Sequence, residues 1–204
     1  YPFSDVSRRA FPDFGLISMS VRTGRSSYHA LQTSVTKWLS NRWQAAATYT
    51  LSGLWDAHAR PHSGLDQVPF ETAPDLGGEF TLSEYDQRHR AVFNGIWQVG
   101  RGFQLSGLHY FGAGNRASSI YGGDRRVLGA GGEQRLRPDG TLVPKNSFIQ
   151  PAQNRTDIRV QQRVPLGRIS LDLIAEAFNV FNRPNWTLET QESSADFGER
   201  VAGQ

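Results

Sequence analysis

Apolar and polar residues alternate along six segments of the chain, as they do in β-strands. In residues 43–52 the odd positions are mainly apolar or aromatic, and the even positions are mainly small and polar. The alternation is sharpest in residues 155–164, where Ile158, Val160 and Val164 share one face and charged or amide side chains share the other. A period of two places successive side chains on opposite faces of a strand. The pattern predicts strands over residues 28–39, 43–56, 87–99, 103–111, 155–164 and 168–179, with a weaker strand over 16–22.

The connections between these segments alternate between short and long. Short connections lie at 40–42, 100–102 and 165–167, whereas the long connections span 57–86 and 112–154. Structureless loops of that length argue against a compact soluble domain, but outer-membrane barrels combine short periplasmic turns with long extracellular loops. The predicted strands also suit a tilted membrane strand of about 9–11 residues better than the usual globular strand of about 5–6. The pattern favours an all-β fold, an antiparallel up-and-down meander that forms part of a transmembrane outer-membrane barrel; the alternative is a soluble β-sandwich.

The composition is that of an ordered chain without thiol chemistry. Aromatic residues make up 11% of the 204 residues, which argues against disorder. Cysteine is absent, which excludes disulfides, thiolate nucleophiles and Cys-based zinc sites. No stretch approaches about 18 uninterrupted apolar residues, so we expect no transmembrane helix. Because the chain begins at Tyr1 and shows no signal peptide, we expect it to be part of a longer protein.

The charge of the chain is mildly basic and dispersed. Lys and Arg number 22 and Asp and Glu number 19, which gives a net charge of +3. Nucleic-acid binding favours a concentrated basic face, so we expect no nucleic-acid partner. Nearly all the cations are Arg, since Lys occurs only at Lys37 and Lys145. Arg suits fixed, hydrogen-bonded charge on an ordered wall.

The sequence contains no motif that predicts catalysis or metal binding. His58 and His62 have the spacing of helical metal ligands, but they lie in a Pro- and Gly-rich connection without a third fixed ligand. Asp172 and Glu176 share a strand face at about 13 Å, which is too far for a glycosidase pair. The GxSxG elbow and the GxxxxGK[ST] phosphate loop are both absent. We therefore expect no enzyme activity, no cofactor and no metal.

Four short segments, in this order, resemble the C-terminal barrel of TonB-dependent outer-membrane receptors. They are residues 28–32, residues 49–52 with Asp56 following, residues 86–90, and residues 176–182 with Asn185 following. The chain is most similar to the Oar-like branch, which carries a carboxypeptidase-regulatory-like N-terminal domain, and the similarity covers roughly residues 28–198. Gly53 departs from this branch, where Lys is frequent, and the final strand with its terminal aromatic residue is not found before Gln204.

The resemblance implies a barrel of about 22 strands with an N-terminal plug, a TonB box, and ligand import powered by an inner-membrane complex. Neither plug nor TonB box lies within these residues, and six or seven strands are fewer than the roughly eight of the smallest bacterial barrels. We therefore expect residues 1–204 to form a partial C-terminal barrel segment in the bacterial outer membrane. The implied partners are outer-membrane lipid, the TonB energising complex, reached through the missing N-terminal part, and an extracellular ligand. Siderophore, oligosaccharide, peptide and cobalamin all fit, and the alternative function is a soluble or surface-attached β-rich adhesin or carbohydrate-binding module.

The two faces of such a wall have predictable roles. The apolar face should meet lipid and includes Trp43, Tyr49, Phe93, Trp97, Ile158, Val160, Leu171 and Leu173. The charged candidates for the lumen are Arg88, Arg90, Arg155, Asp157, Arg159, Arg163, Asp172 and Glu176. One Arg facing lipid at the midplane costs about 2–4 kcal/mol, which a water-filled or plug-filled lumen avoids. We expect carboxylates of this face to pair with its arginines across strands; the set either docks the plug and solvates the wall, or guides an anionic ligand.

Overall fold

A computed structural model describes Asp13 and residues 24–57, 77–123, 135 and 137–203 of the chain. It contains eleven strands in these residues and one short 3-10 turn at Gly77–Glu79. The strands are β1 (Ser26–Ser40), β2 (Trp43–Asp56), β3 (Thr81–Leu82), β4 (His89–Gly100), β5 (Phe103–Gly112), β6 (Arg116–Ala117), β7 (Phe148–Ile149), β8 (Gln153–Leu166), β9 (Ile169–Ala177), β10 (Trp186–Leu188) and β11 (Arg200–Gly203). Within the described residues, no helix is long and apolar enough to cross a membrane.

The long strands form one antiparallel sheet in the order β1-β2-β4-β5-β8-β9, with β3 paired to the far end of β2. This confirms the all-β antiparallel meander, and each long strand begins and ends within two residues of its predicted bounds. Two small sheets, β6–β7 and β10–β11, were not predicted. The weaker strand predicted over 16–22 lies outside the described residues.

Three tight turns lie at one end of the sheet, as the short connections predict. Asn41 and Arg42 adopt φ values of 51° and 68° in the first turn, and Arg101 adopts 52° in the second. Positive φ suits the right-handed twist of a two-residue hairpin, and Gly and Asn adopt it at the lowest cost. Gly102 is further constrained, because a Cβ on it would lie 2.3 Å from the carbonyl oxygen of Arg163. Glycine at this position lets the second turn approach the neighbouring strand β8.

The three turns are staggered, and the stagger measures the tilt of the strands. From the residue pairing, the third turn lies about five to six residues further along the strand direction than the first, across four strand spacings. At about 3.4 Å per residue and about 4.8 Å per strand spacing, the offset along the strands and the distance across them are both about 19 Å. If the three turns lie in one plane parallel to the membrane, the strands must therefore tilt by about 45° from the barrel axis. Strands of transmembrane barrels tilt by about 35–45°. The register therefore has the shear of a barrel wall.

The register also assigns every strand residue to one of two faces. Directly paired residues share a face, so the pairs Trp43–Trp97, Ala47–Phe93 and Val164–Leu171 belong to the apolar face. The eight predicted apolar residues all lie on this face and the charged candidates lie on the other, which confirms that the two sets are opposed. Six of the eight are exposed, and Ile158 and Val160 are half-buried. They therefore form no closed core in the described sheet.

Burial in the described chain is concentrated at the end of the sheet opposite the turns. We call the described residues of 77–88, 113–152 and 178–203 the loop lobe. The fully buried side chains of Val143, Asn146 and Ser83 all lie there. The sheet itself contributes Ala91 as its buried apolar residue. The long connections, rather than the sheet, thus contain the packed interior of the described structure.

Candidate functional site

The charged candidates lie in one continuous region of the polar face. Strand β8 supplies half of them, β9 supplies Asp172 and Glu176, and β4 supplies Arg90, with Arg88 just before that strand. Alternation places the charges of β8 on the side opposite to Ile158 and Val160. The structure therefore places the predicted set on one side of the sheet, spread from the turns to the loop lobe, and the individual contacts differ from residue to residue.

On β8 and β9, charges of this face are paired across the two strands. Arg163 donates from Nε and Nη2 to the two carboxylate oxygens of Asp172, both at 2.8 Å. One step further along, Arg159 Nη1 lies 3.6 Å from Glu176 Oε1. Both pairs join residues directly opposite in the β8–β9 register, as the sequence predicted. Exposed ion pairs contribute little to stability, and the two-pronged geometry of Arg163 mainly fixes the orientation of the two side chains.

Asp157 connects the middle of β8 to the segment after β9. Its Oδ1 accepts hydrogen bonds from Arg155 Nε and from the backbone N–H of Asn179, both at 2.9 Å. Asn179 has a φ of 49° and its side chain hydrogen-bonds to the backbone of Arg183 in both directions. Asn tolerates this left-handed conformation better than most residues. The 176–182 segment that carried the resemblance is therefore a turn held by Asn179 and anchored on Asp157.

Asp86 is a buried carboxylate that the sequence analysis quoted within 86–90 but assigned no role. It is 3% exposed, and its Oδ1 accepts the backbone N–H of Leu54 at 2.9 Å. Its Oδ2 lies 3.6 Å from Arg116 Nε and 3.8 Å from Arg88 Nη2. Asp86 thus joins the end of β2 to the 113–152 connection.

Arg90 differs from the other strand arginines of this face. In the described part of the chain it has no carboxylate within 4 Å, and its guanidinium carbon lies 5.7 Å from the centre of the Tyr110 ring. Such cation–π contacts contribute about 0.5–1 kcal/mol at exposed sites. Arg90 therefore carries charge that the described wall does not neutralise.

The loop lobe contains a buried polar cluster that the sequence did not reveal. Arg135 forms an ion pair with Glu79, and Lys145 Nζ donates to the backbone oxygen of Glu79 at 3.2 Å. Asn146 Nδ2 donates to the backbone oxygen of Leu82 at 2.8 Å. Burial lowers the pKa of Lys145, and Glu79 opposes that shift. The cluster ties the 77–82 segment to the 135–146 segment, which are over 50 residues apart in the chain.

A second ion pair joins two segments of the loop lobe, the 113–152 connection and the residues after β9. Arg137 donates from Nε and Nη2 to the carboxylate of Glu192, at 2.7 and 2.8 Å. The hydrogen bonds from Arg137 hold the pKa of Glu192 below its ordinary value. The side chain of Gln150 donates to the backbone oxygen of Leu188 and accepts from its backbone N–H. These two hydrogen bonds attach the end of β10 to the 113–152 connection. No local pattern signals these contacts, because the partners are distant in sequence.

The described histidines hydrogen-bond to hydroxyl groups. His89 Nδ1 lies 2.8 Å from Tyr49 Oη, and His109 Nδ1 lies 2.8 Å from Thr156 Oγ1. Among the residues that the structure covers, no cluster of three metal-ligating side chains occurs. His58 and His62 lie outside them. The two clearest surface depressions of the same residues cross the apolar face around Ala45.

Comparison with protein families agrees with this architecture. A family model described as an outer membrane beta barrel domain matches residues 2–139. The chain belongs to the outer membrane beta barrel domain family. No curated protein and no solved structure matches it. This outer-membrane barrel chain is therefore located in the outer membrane, and its open antiparallel sheet is a portion of a barrel wall.

Proposed function

We propose that this outer-membrane barrel chain is part of the wall of a TonB-dependent receptor that imports a solute from outside the cell. The loop lobe is the observation that carries the proposal. It lies at the end opposite the tight turns, and in outer-membrane barrels the long loops are extracellular. Its residues form an ordered, internally bonded structure that can present a fixed surface to a solute.

The internal bonding of the lobe supports binding in preference to a passive pore entrance. Ordering one residue costs about 1–2 kcal/mol of backbone entropy, and buried charges are costly unless they are paired. The Glu79–Arg135 and Arg137–Glu192 pairs match charges within the lobe and join segments that are distant in the chain. Preorganised loops lower the entropic cost of binding a ligand, which is the advantage that a capture surface requires.

The polar face supports a filled or wet lumen. Its arginines would be costly against lipid, whereas the apolar face exposes Trp97, Phe93 and Leu173 at about half of their surface. We therefore place the apolar face toward lipid and the charged face toward the lumen, with a plug and TonB box supplied by the N-terminal part of the protein. We propose no catalytic role and no nucleic-acid partner. Outer-membrane localisation favours this function over the soluble or surface-attached β-rich adhesin or carbohydrate-binding module.

Two experiments test the proposal on the full-length protein. Because the described chain has no cysteine, Asp139→Cys in the loop lobe and Arg101→Cys in a tight turn give matched labelling sites. A membrane-impermeant maleimide added to intact cells should label the Asp139→Cys variant and not the Arg101→Cys variant. The reverse result would contradict the assignment of the loop lobe to the cell exterior.

The second experiment examines coupling to TonB. The full-length protein, reconstituted in lipid nanodiscs, should bind the purified periplasmic domain of TonB saturably. Removal of the segment upstream of residue 1 should abolish that binding. A full-length barrel that shows no TonB binding, but conducts ions as an open pore, would refute the receptor assignment and leave a passive barrel.

A further inference from the structure

The excess positive charge of the polar face lies close to the loop lobe. On the four strands β4, β5, β8 and β9, Arg163 is matched by Asp172 near the turns, and Arg159 in the middle of β8 is matched by Glu176. At the other end, Arg155 is matched by Asp157, and Arg90 has no carboxylate within 4 Å among the described residues. Among the described strand residues of the polar face, the arginines of β8 are therefore matched by carboxylates, and the unmatched arginine, Arg90, lies at the loop-lobe end of β4.

Other carboxylates at this end of the face are already engaged. Asp86 binds Leu54 and lies between two arginines. Asp56, at the end of β2, lies six residues beyond Thr50, the residue directly opposite Arg90, which is about 20 Å along the strand. Neither is placed to neutralise Arg90, so the excess charge remains on the face itself.

The ring of Tyr110 lies beside this charge and is itself held in place. Its hydroxyl donates to Gln87 Oε1 at 3.2 Å, and Gln87 Nε2 donates to the backbone oxygen of Ala113 at 3.2 Å. Gly112 makes room for the contact, because a Cβ there would lie 2.4 Å from Gln87 and 2.6 Å from the Tyr110 hydroxyl. The ring so fixed lies beneath Arg90. The arrangement is preorganised without an acidic partner.

Arg155 completes the arrangement on the next strand. It is directly opposite Tyr110 in the register, and its side chain is 51% exposed. Asp157 accepts a hydrogen bond from Nε of Arg155, and the guanidinium carbon lies 5.6 Å from the ring centre of Phe178. We name Arg90, Tyr110 and Arg155 the arginine–tyrosine patch. Its two arginines lie on strands about 10 Å apart, within reach of one oxyanionic solute.

We propose that the arginine–tyrosine patch binds the carboxylate or phosphate groups of the solute that this receptor imports. This inference rests on the proposed receptor function and names its substrate class as oxyanionic. Guanidinium groups recognise both oxyanions through planar, charge-assisted hydrogen bonds. The position of the patch directly below the loop lobe would place it where a captured solute enters the lumen.

The test is titration calorimetry on the full-length protein in nanodiscs at constant ionic strength, with citrate and inorganic pyrophosphate as probes. Arg90→Gln and Arg155→Gln should each weaken binding of at least one probe about tenfold. Arg163→Gln is the matched control, because it removes a carboxylate-paired arginine of the same face, as Arg155→Gln does, but eight residues further along β8 and near the turns; it should bind as the wild type does. Preference for citrate identifies a carboxylate solute, and preference for pyrophosphate identifies a phosphate solute.

Three outcomes would overturn the proposal. They are no binding of either probe by the wild type, an equal loss in Arg163→Gln, or unchanged binding in both patch variants. If the patch variants instead melt at lower temperature without any loss of probe binding, the patch docks the plug and the proposal is wrong. Arg90→Lys, which keeps the charge, separates loss of charge from misfolding and should retain most of the affinity. TonB binding by the same samples reports separately on the receptor function.

Discussion

Adjacent alanines on β2 offer a direct test of which face meets lipid. Ala47 lies on the apolar face opposite Val35 and Phe93, and Ala46 lies on the polar face opposite Thr36 and Asn94. Ala47→Arg and Ala46→Arg make the same substitution at adjacent positions of β2. The change in strand propensity and the depth in the membrane are therefore nearly equal in the two variants, and mainly the face differs. The two variants should differ strongly in stability.

The expected difference in stability between the two variants follows from the depth of Ala47 in the membrane. Ala47 lies about six residues from the first turn, which at a tilt of about 45° is about 14 Å above the turn level. Because the apolar band of such barrels is about 25 Å tall, this places Ala47 near the midplane. Arg facing lipid at that depth should destabilise the barrel by about 2–4 kcal/mol, whereas Arg at position 46 should cost under about 1 kcal/mol.

The assay is urea unfolding of the full-length protein in lipid vesicles, with the folded fraction read from heat-modifiable migration on gels. A second adjacent pair on β9, Leu173→Arg on the apolar face and Ile174→Arg on the polar face, guards against a local clash between position 46 and the plug. Equal destabilisation within both pairs, or greater destabilisation by the polar-face variants, would refute the assignment of the apolar face to lipid.

Three further predictions concern other parts of the chain. Lys37→Met should lower stability in the same urea assay by about 1–2 kcal/mol, because Lys37 Nζ donates to Ser40 and to the Trp43 carbonyl and lies 3.9 Å from the Trp43 ring centre; an unchanged midpoint would contradict this. A spin label on Pro138→Cys should gain mobility as the pH falls below about 4.5. The hydrogen bonds from Arg137 lower the pKa of Glu192 in the folded chain. The stabilisation by this ion pair is therefore present above the pKa of Glu192 in the unfolded chain, and it is lost as the pH falls through the lowered pKa of the folded chain. Glu192→Gln should show the mobile spectrum at every pH, and a pH-independent wild type would be inconsistent with the ion pair. Residues 1–204 expressed alone should need detergent or form inclusion bodies, because an open sheet exposes two edges; a soluble, cooperatively folded monomer in plain buffer would disprove the fragment interpretation.

The long strands could be predicted from sequence because their signal is local. Residues two apart share a face, so the alternation around Tyr49 or Val160 is visible in any short window. The pairing of Arg163 with Asp172 was also accessible, since the tight turn between β8 and β9 sets their register. The positions of β10, β11 and the β6–β7 pair were not, because strands of two to four residues carry too little alternation to recognise.

The candidate site was predicted as a face but not as a set of contacts. Arg90 and Arg155 were grouped because the alternation of side chains places both on the polar face. The alternation could not show that Arg155 has a carboxylate partner and that Arg90 has none among the described residues. That difference depends on Asp157, Tyr110 and the turn at Asn179, which three separate segments bring together. The role of Asp86 was missed for the same reason, because its partners lie on either side of it in sequence: Leu54 belongs to β2 and Arg116 to the 113–152 connection.

The amino-acid sequence by itself determined the strands, their two faces and the contrast between short turns and long connections, because each depends on residues close together in the chain. Only the tertiary structure decided the tilt of the strands, the buried Glu79–Arg135 pair and the lack of a carboxylate partner for Arg90 among the described residues. These depend on the order and register in which strands pair, and on segments over 50 residues apart that meet in the loop lobe. An ion pair between distant segments leaves no periodic trace in sequence, because its energy depends on distance and burial in the folded chain.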